Sequence, residues 1–133
     1  PVEGAEEILT YLKQQKYCLC AASNGPYDQQ INRLKKADML KYFAHCFVSE
    51  KVGADKPSQR FFDGCLKELP GVRPEECMMI GDSLTADITG GRAYGMSTCW
   101  YVPSVEKYRE EKSKSGKPAD HIIHDLLELK KIL

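Results

Sequence analysis

The stretch MMIGDSLTAD, residues 78–87, decides the fold that we predict for this chain of 133 residues. With Cys77, its first residues form a short apolar run that ends at Gly81, a pattern typical of a buried strand. Two acidic residues follow, Asp82 at the end of the run and Asp87 five residues later. Carboxylates in this position indicate a functional site at the carboxyl end of the strand, where ligands bind in open α/β sheets.

Strand-like and helical segments alternate along the rest of the chain, which predicts one α/β domain over residues 1–133 with a parallel sheet covered by helices on both faces. The polar residues 103–119 predict a mobile surface loop. We predict strands at 17–22, 45–49, 77–81, 97–102 and just after 120. Helices are predicted at 4–16 and 28–37 and at the C-terminus. A further helix begins at Pro57 and buries Phe61, Phe62, Cys65, Leu66 and Leu69, and another follows the strand at 77–81, runs to about residue 93 and is capped by Gly95.

The composition excludes several classes of protein. Nineteen basic and nineteen acidic side chains cancel, so no overall field attracts a nucleic acid polymer or an anionic membrane. No apolar run approaches the roughly 18 residues that cross a bilayer. The six cysteines contain no Cys-x-x-Cys pair, and most lie in apolar runs. We therefore predict a reduced, cytoplasmic protein whose cysteines belong to the core.

Polar residues end the first three predicted strands or the loops that follow them. They are Ser23-Asn24-Gly25, Lys56 and Gly81-Asp82-Ser83. In a parallel sheet these groups converge on one edge, where a hydroxyl, backbone N–H groups, an ammonium and a Mg²⁺-binding carboxylate make a phosphate site. Taken singly, each cluster has a structural explanation as a turn, a solvated boundary, a helix N-cap or, for Asp87, an exposed helical acid.

The ordered set of motifs resembles the C-terminal part of the haloacid dehalogenase (HAD) superfamily of phosphohydrolases. The matching segments are CLCAASNG, VGADKPSQRFF and MMIGDSLTADITGGRAYGMSTCWYV, within residues 2–102. The resemblance is strongest to the bacterial pyrimidine 5'-nucleotidase branch. It implies a Rossmann-like three-layer core and a Mg²⁺-dependent hydrolase of phosphate monoesters, with a nucleoside 5'-monophosphate as the small phosphorylated substrate.

The resemblance also implies a role for each matching residue. Ser23 hydrogen-bonds the transferring phosphoryl group with help from Asn24 and the backbone that includes Gly25. Lys56 clamps the phosphate, Asp82 ligates Mg²⁺ directly or through water, and Asp87 orients the ligands around the metal or pairs with Lys56. Two glycines in the following helix, Gly90 and Gly91, are expected where a helix approaches the sheet closely.

One family motif is absent. The nucleophile and the acid–base residue of the family come from an Asp-x-Asp motif on a central strand, and none of the eight aspartates of this chain forms one. That strand and the helical cap domain behind it are therefore missing, and we expect the chain alone to be an inactive, truncated piece. The gap could be filled by a separate N-terminal fragment, by a second copy, or by direct pairing of the strands at 17–22 and 77–81.

Other functions stay open. A sugar-phosphate mutase or another HAD phosphotransferase shares these three motifs. A non-catalytic module could use the same edge to bind an anion or a protein. The metal-free dehalogenase branch fits less well, because Gly81-Asp82-Ser83 resembles the metal-binding variant. A signalling receiver domain has its acidic pair and its Lys-Pro in the reverse order along the chain.

Overall fold

The computed structural model describes residues 3–115 and 118–133, with the side chains of 112–115 left aside. The chain divides into two compact units, one made of Pro1–Asp55 with Leu126–Leu133 and one made of Lys56–Asp125. The expected single domain over residues 1–133 stays a prediction. In the described part of the chain, no helix has the length and apolar character needed to cross a membrane.

The first unit is built on two parallel strands. Strand β1 (Cys20–Ser23) pairs with β2 (His45–Val48) so that Cys20 faces His45 and Ser23 faces Val48. Helix α1 buries Ile8 and Leu12, and Glu7 on its outer side bonds Lys130 of the final helical turn at 2.8 Å. The elements are α1 (Ala5–Gln14), β1 (Cys20–Ser23), α2 (Tyr27–Lys36), a 3₁₀ turn (Leu40–Tyr42), β2 (His45–Val48), α3 (Ser49–Val52) and a 3₁₀ helix (Leu126–Lys131).

The second unit is built on three parallel strands in the order β3-β4-β5. Part of its core is formed by buried Ile88, Trp100, Val102 and Ala119, with Tyr108 packed against them. The elements are α4 (Gln59–Lys67), a 3₁₀ turn (Pro74–Glu76), β3 (Met78–Gly81), a π-helix (Leu84–Thr89), α5 (Gly90–Tyr94), β4 (Ser97–Tyr101), α6 (Val105–Ser115) and β5 (His121–Ile123).

The predicted parallel arrangement is confirmed, and the strands form two sheets. Strand β1 pairs with β2 and strand β3 with β4, so β1 and β3 belong to different sheets. Direct pairing of these two strands, one of the three ways considered for filling the gap, would join the two units and stays a prediction.

Helix α4 begins later than its sequence predicts. Pro57 was expected at the first helical position, but the helix starts at Gln59. Ser58 is the N-cap, and its hydroxyl accepts a hydrogen bond from the N–H of Phe61 at 3.3 Å. The Ser58 hydroxyl, three residues before Phe61, accepts from that N–H, which the side chain of Pro57 could not do, and this explains the shift. Of the predicted buried face, Phe61, Phe62 and Cys65 are buried. Leu66 and Leu69 are half-buried, and Leu69 lies beyond the end of the helix.

The prediction of a surface loop over 103–119 is wrong for most of its length, because Val105–Ser115 forms helix α6. The Ser104 hydroxyl caps its first turn by accepting from the N–H of Lys107 at 3.2 Å. Glutamate, lysine and arginine favour helices even without an apolar stripe, and here Tyr108 supplies the contact with the core. Residues 116 and 117, part of the same prediction, lie outside the described residues.

Two glycines allow the π-helix and α5 to approach their neighbours closely, as predicted. A Cβ atom on Gly91 would lie 2.9 Å from the Cβ of Met79 in strand β3, and one on Gly90 would lie 2.6 Å from the Cβ of Pro57. Both distances are too short for ordinary contact. Gly95 ends α5 with φ +98°, the left-handed conformation expected of a glycine cap.

A pH-dependent contact ties the start of β4 to the start of β5. The Asp120 carboxylate accepts from the N–H of Thr98 at 2.9 Å and from its hydroxyl at 3.3 Å. These bonds, the backbone one first, hold the pKa of Asp120 below its usual value. Because the folded pKa is depressed, the stabilisation is complete above the unfolded value near 4 and is lost as the pH falls through the folded value.

We therefore expect Asp120→Asn to lower the free energy of unfolding by about 1 kcal/mol at pH 7. The loss is small because the carboxylate is exposed to solvent. The difference from the wild type should shrink towards pH 3. Urea unfolding at both pH values measures it, with Asp28→Asn on the exposed side of α2 as the control. An Asp120 effect that stays constant between pH 7 and pH 3 would contradict the assignment.

Candidate functional site

A buried ion pair lies beneath the carboxyl end of β3. The Lys56 ammonium contacts Oδ1 of Asp87 at 2.6 Å, and the two side chains are 10% and 9% exposed. The expected pairing of these residues is thus confirmed. A charge in such surroundings is costly unless it is paired, so each partner offsets the cost of burying the other. The nearby thiol of Cys65 behaves differently, because burial raises its pKa to about 12 against the opposing effect of Lys56.

Local backbone geometry directs Asp87 back towards the strand that it follows. The N–H groups of Asp87 and Ile88 both donate to the Ser83 carbonyl, at 3.0 and 3.1 Å, within the wider turn of the π-helix. The other carboxylate oxygen of Asp87 accepts from the Ser83 N–H at 3.3 Å. A side chain at Gly81 would overlap this carboxylate. Gly81 is therefore needed to leave room for the Asp87 carboxylate. Short π-helical turns of this kind occur often at functional sites.

Asp82 has a different environment from Asp87. Its side chain is exposed and lines a cavity of about 450 Å³. Its backbone carbonyl accepts a hydrogen bond from the indole N–H of Trp100 at 3.2 Å. Trp100 is fully buried in β4, so the peptide that carries Asp82 is attached to the core while its carboxylate faces solvent.

The N-cap explanation considered for Gly81-Asp82-Ser83 applies to Ser83. Its hydroxyl accepts from the N–H of Ala86 at 3.1 Å, and it lies 3.5 Å from the hydroxyl of Thr85. Asp82, one residue earlier, takes no part in this cap. The capping role of Ser83 therefore leaves the carboxylate of Asp82 available for another purpose.

The polar turn after β1 is held by α3 of the same unit. The N–H of Gly25 donates to the Ser49 hydroxyl at 2.7 Å, and the N–H of Tyr27 donates to Glu50 at 2.9 Å. The Ser23 hydroxyl is buried and has no hydrogen-bond partner among the described residues. Ser23 is thus suited to accept or donate a bond to a ligand, whereas the N–H of Gly25 is already engaged. Asn24 is exposed in the same turn.

The site residues fall in both units. Lys56, Asp82 and Asp87 lie in the second unit, and Ser23, Asn24 and Gly25 lie in the first. The expectation that Ser23, Lys56 and Asp82 surround one phosphate group therefore stays a prediction. Sequence patterns missed Ser49, which was placed at the end of a strand. They also missed Trp100 and Glu111, which lie far along the chain from Asp82 and carry no local signal.

The residues of the second unit fit a bound Mg²⁺. Among the described residues, no group of three or more histidine, cysteine or acidic side chains is arranged to hold a metal. Mg²⁺ does not need one, since it commonly binds one or two carboxylates and completes its shell with water and substrate phosphate. The exposed carboxylate of Asp82 provides one such oxygen ligand, beside a second carboxylate that is already neutralised by Lys56.

The ion pair generates a prediction about stability. Lys56→Met should leave the Asp87 carboxylate buried and unpaired, and we expect a loss of about 3 kcal/mol in the free energy of unfolding. Asp87→Leu should cost a similar amount, and the double variant should cost much less than the sum. Urea unfolding of the four proteins gives the coupling.

The matched control is the pair Lys41–Asp38, whose side chains are 56% and 81% exposed at an N–O distance of 3.1 Å. Removing Lys41 should leave the free energy of unfolding essentially unchanged, because solvent screens an exposed pair. Equal effects at the two pairs, or additive effects of Lys56→Met and Asp87→Leu, would contradict the burial argument.

Comparison with known proteins identifies the family. Residues 1–95 match the haloacid dehalogenase-like hydrolases. The pyrimidine 5'-nucleotidase PynA of Streptococcus pneumoniae is 39% identical over 77% of this chain and 43% of its own length. The glyceraldehyde 3-phosphate phosphatase of Pyrococcus furiosus is 32% identical over 99% of this chain and 54% of its own length.

A solved structure agrees with these relatives. The HAD-hydrolase YfnB from Bacillus subtilis, bound to magnesium, superimposes with a TM-score of 0.87 at 34% identity, covering 99% of this chain and 55% of that one. The chain thus spans about half the length of the relatives that it matches. The sequence match and the shared fold together place this chain in the haloacid dehalogenase-like hydrolase family.

Proposed function

We propose that the protein to which this chain contributes hydrolyses phosphate monoesters with the help of Mg²⁺, and that a nucleoside 5'-monophosphate is its substrate. The observation that carries the proposal is the buried Lys56–Asp87 pair beside the exposed Asp82 at the end of β3. Family membership and the similarity to a pyrimidine 5'-nucleotidase support it. The magnesium bound by YfnB supports the choice of metal.

Each residue has a distinct role in the proposed reaction. Mg²⁺ held by Asp82 would neutralise phosphate charge and orient the ester. Lys56 stabilises the negative charge that develops on the phosphoryl oxygens in the transition state. An ammonium has three N–H donors, so its bond to Asp87 does not by itself use up its capacity. Asp87 keeps Lys56 in place, and Ser23 and Asn24 are proposed to bind phosphoryl oxygens. Gly25, whose N–H donates to Ser49, holds the turn that carries them.

The attacking group of the proposed reaction is not among residues 1–133, which contain no Asp-x-Asp motif. A covalent aspartyl-phosphate needs that carboxylate, so we propose that the chain alone binds phosphate without hydrolysing esters. A separate N-terminal fragment or a second copy is the partner proposed to complete the sheet. We propose a cytoplasmic location from the cysteines, which contain no Cys-x-x-Cys pair, and no nucleic acid or membrane partner from the balanced charge.

A second candidate substrate is a small sugar phosphate. The similarity to a glyceraldehyde 3-phosphate phosphatase extends over 99% of this chain, which favours this alternative over the mutases and other phosphotransferases of the superfamily. A non-catalytic module that binds an anion at the same residues is the remaining alternative. The experiment below separates these functions from a degenerate site that binds no anion.

We expect inorganic phosphate with Mg²⁺ to stabilise the chain, because Asp82 would hold the metal and the metal's charge would favour binding of the anion. At ten times the dissociation constant the gain is about 1.4 kcal/mol, or roughly 5 °C in melting temperature. Asp82→Asn should abolish the gain that depends on Mg²⁺. Thermal unfolding with phosphate alone, Mg²⁺ alone and both together measures it.

Asp28→Asn is the charge-matched control, because Asp28 is exposed on α2, and it should keep the full gain. Stabilisation by phosphate that does not depend on Mg²⁺ would favour the anion-binding module. The absence of any shift at millimolar phosphate and Mg²⁺ would refute the proposed binding site.

A further inference from the structure

The cavity beside Asp82 has a second wall that the proposed function does not use. Asp82, Ser83 and three residues of the π-helix form one side, and Lys107 and Glu111 of α6 form the other. Its volume of about 450 Å³ falls within the range of small-molecule sites, roughly 300–1,000 Å³. A site that holds the phosphate at Asp82 would therefore have room beside it for the rest of an ester.

Glu111 is the unusual member of this wall. One of its carboxylate oxygens is buried, and it has no hydrogen-bond partner among the described residues. A buried acceptor without a donor costs about 1–3 kcal/mol, and more when it is charged. Glu111 also lines the cavity, so a ligand bound there can donate a hydrogen bond to its carboxylate.

Helix α6 holds Glu111 in place through aromatic contacts. Tyr108, one turn before Glu111, packs against Trp100 with ring centres 5.9 Å apart and against His124 at 5.0 Å. His124 is in turn hydrogen-bonded through its Nδ1 atom to the Val102 carbonyl at 2.8 Å. The wall is therefore attached to β4, the same strand whose Trp100 holds the Asp82 peptide. A preformed wall binds a ligand without first having to be ordered.

The residues that line the cavity favour one chemical class of ligand. Leu84 is the one apolar side chain that the described residues contribute, and the others are hydroxyls of serine and threonine, two carboxylates and an ammonium. No aromatic ring from the described residues lines the cavity, so it offers no stacking surface for a base. Carboxylates and hydroxyls instead suit the hydrogen-bond donors of a polyhydroxylated group.

We propose that this cavity binds the hydroxyl-bearing part of the phosphate ester, with Glu111 accepting hydrogen bonds from neighbouring hydroxyl groups. The proposal rests on the proposed function, which places the phosphate at Asp82. The group is either the ribose of a nucleotide or the carbon chain of a free sugar phosphate, since both present adjacent hydroxyls.

The test compares two esters of similar length, glycerol 3-phosphate with two hydroxyl groups and propyl phosphate with none. Binding to the chain is measured by titration calorimetry with Mg²⁺ present, and released phosphate is assayed in the same samples so that turnover is not taken for binding. We expect the wild type to bind glycerol 3-phosphate roughly tenfold more tightly, the size of one charge-assisted hydrogen bond. Glu111→Gln should reduce this preference to about twofold without changing the affinity for inorganic phosphate.

Glu106→Gln is the control, because Glu106 is exposed on α6 and does not line the cavity; it should leave the preference unchanged. If the wild type binds inorganic phosphate but binds the two esters with equal affinity, this inference alone is overturned. This result needs no variant. The inference would also fall if Glu111→Gln weakened both esters equally. Absence of phosphate binding by the wild type would overturn the proposed function and this inference with it.

Two further ligands show whether the hydroxyl groups belong to the ribose of a nucleotide or to a free sugar phosphate. Uridine 5'-monophosphate binding at least as tightly as ribose 5-phosphate would assign the cavity to the ribose of a nucleotide. Tighter binding of ribose 5-phosphate would assign it to a free sugar phosphate. Either result supports the hydroxyl subsite, provided that Glu111→Gln weakens the preferred ligand.

Discussion

The second unit depends on the ion pair between Lys56 and Asp87. Both charges are about nine-tenths buried, so neither is stable without the other. Their meeting requires Gly81, because any side chain there would occupy the place of the carboxylate. It also requires the π-helical turn that directs Asp87 back towards β3. The backbone around the site is thus shaped by the need to pair one lysine with one aspartate.

The ion pair explains why two aspartates so close in sequence have different environments. Asp87 is enclosed, accepts from Lys56 and the Ser83 N–H, and is neutralised within the protein. Asp82 is exposed, and its peptide is attached to the core through Trp100. Burial and partner decide what a carboxylate can do. One acid therefore serves to fix the lysine, and the other faces the cavity, where a metal or ligand can reach it.

The sequence predicts the elements whose signals are local. The apolar runs at 45–49 and 77–81 give strands within a residue of those observed, and Gly95 marks the end of α5. The sequence does not predict α6, because this helix has no apolar stripe and is held in place by the contacts of a single side chain, Tyr108, with Trp100 and His124. The link between Gly25 and Ser49 was also missed, since it joins residues 24 positions apart. The pairing of Lys56 with Asp87 came from the family resemblance, which carries information on distant contacts.

Trp100 connects the two parts of the second unit that face the cavity. Its indole N–H holds the Asp82 carbonyl, and its ring packs on Tyr108 of α6. Asp82 and Glu111 are therefore positioned by the same buried side chain, although they lie on separate elements. A shared support fixes the position of one wall relative to the other, so the space beside Asp82 has a defined size before any ligand arrives. A specificity site needs this property, because a wall that could move would accept esters with and without hydroxyl groups alike.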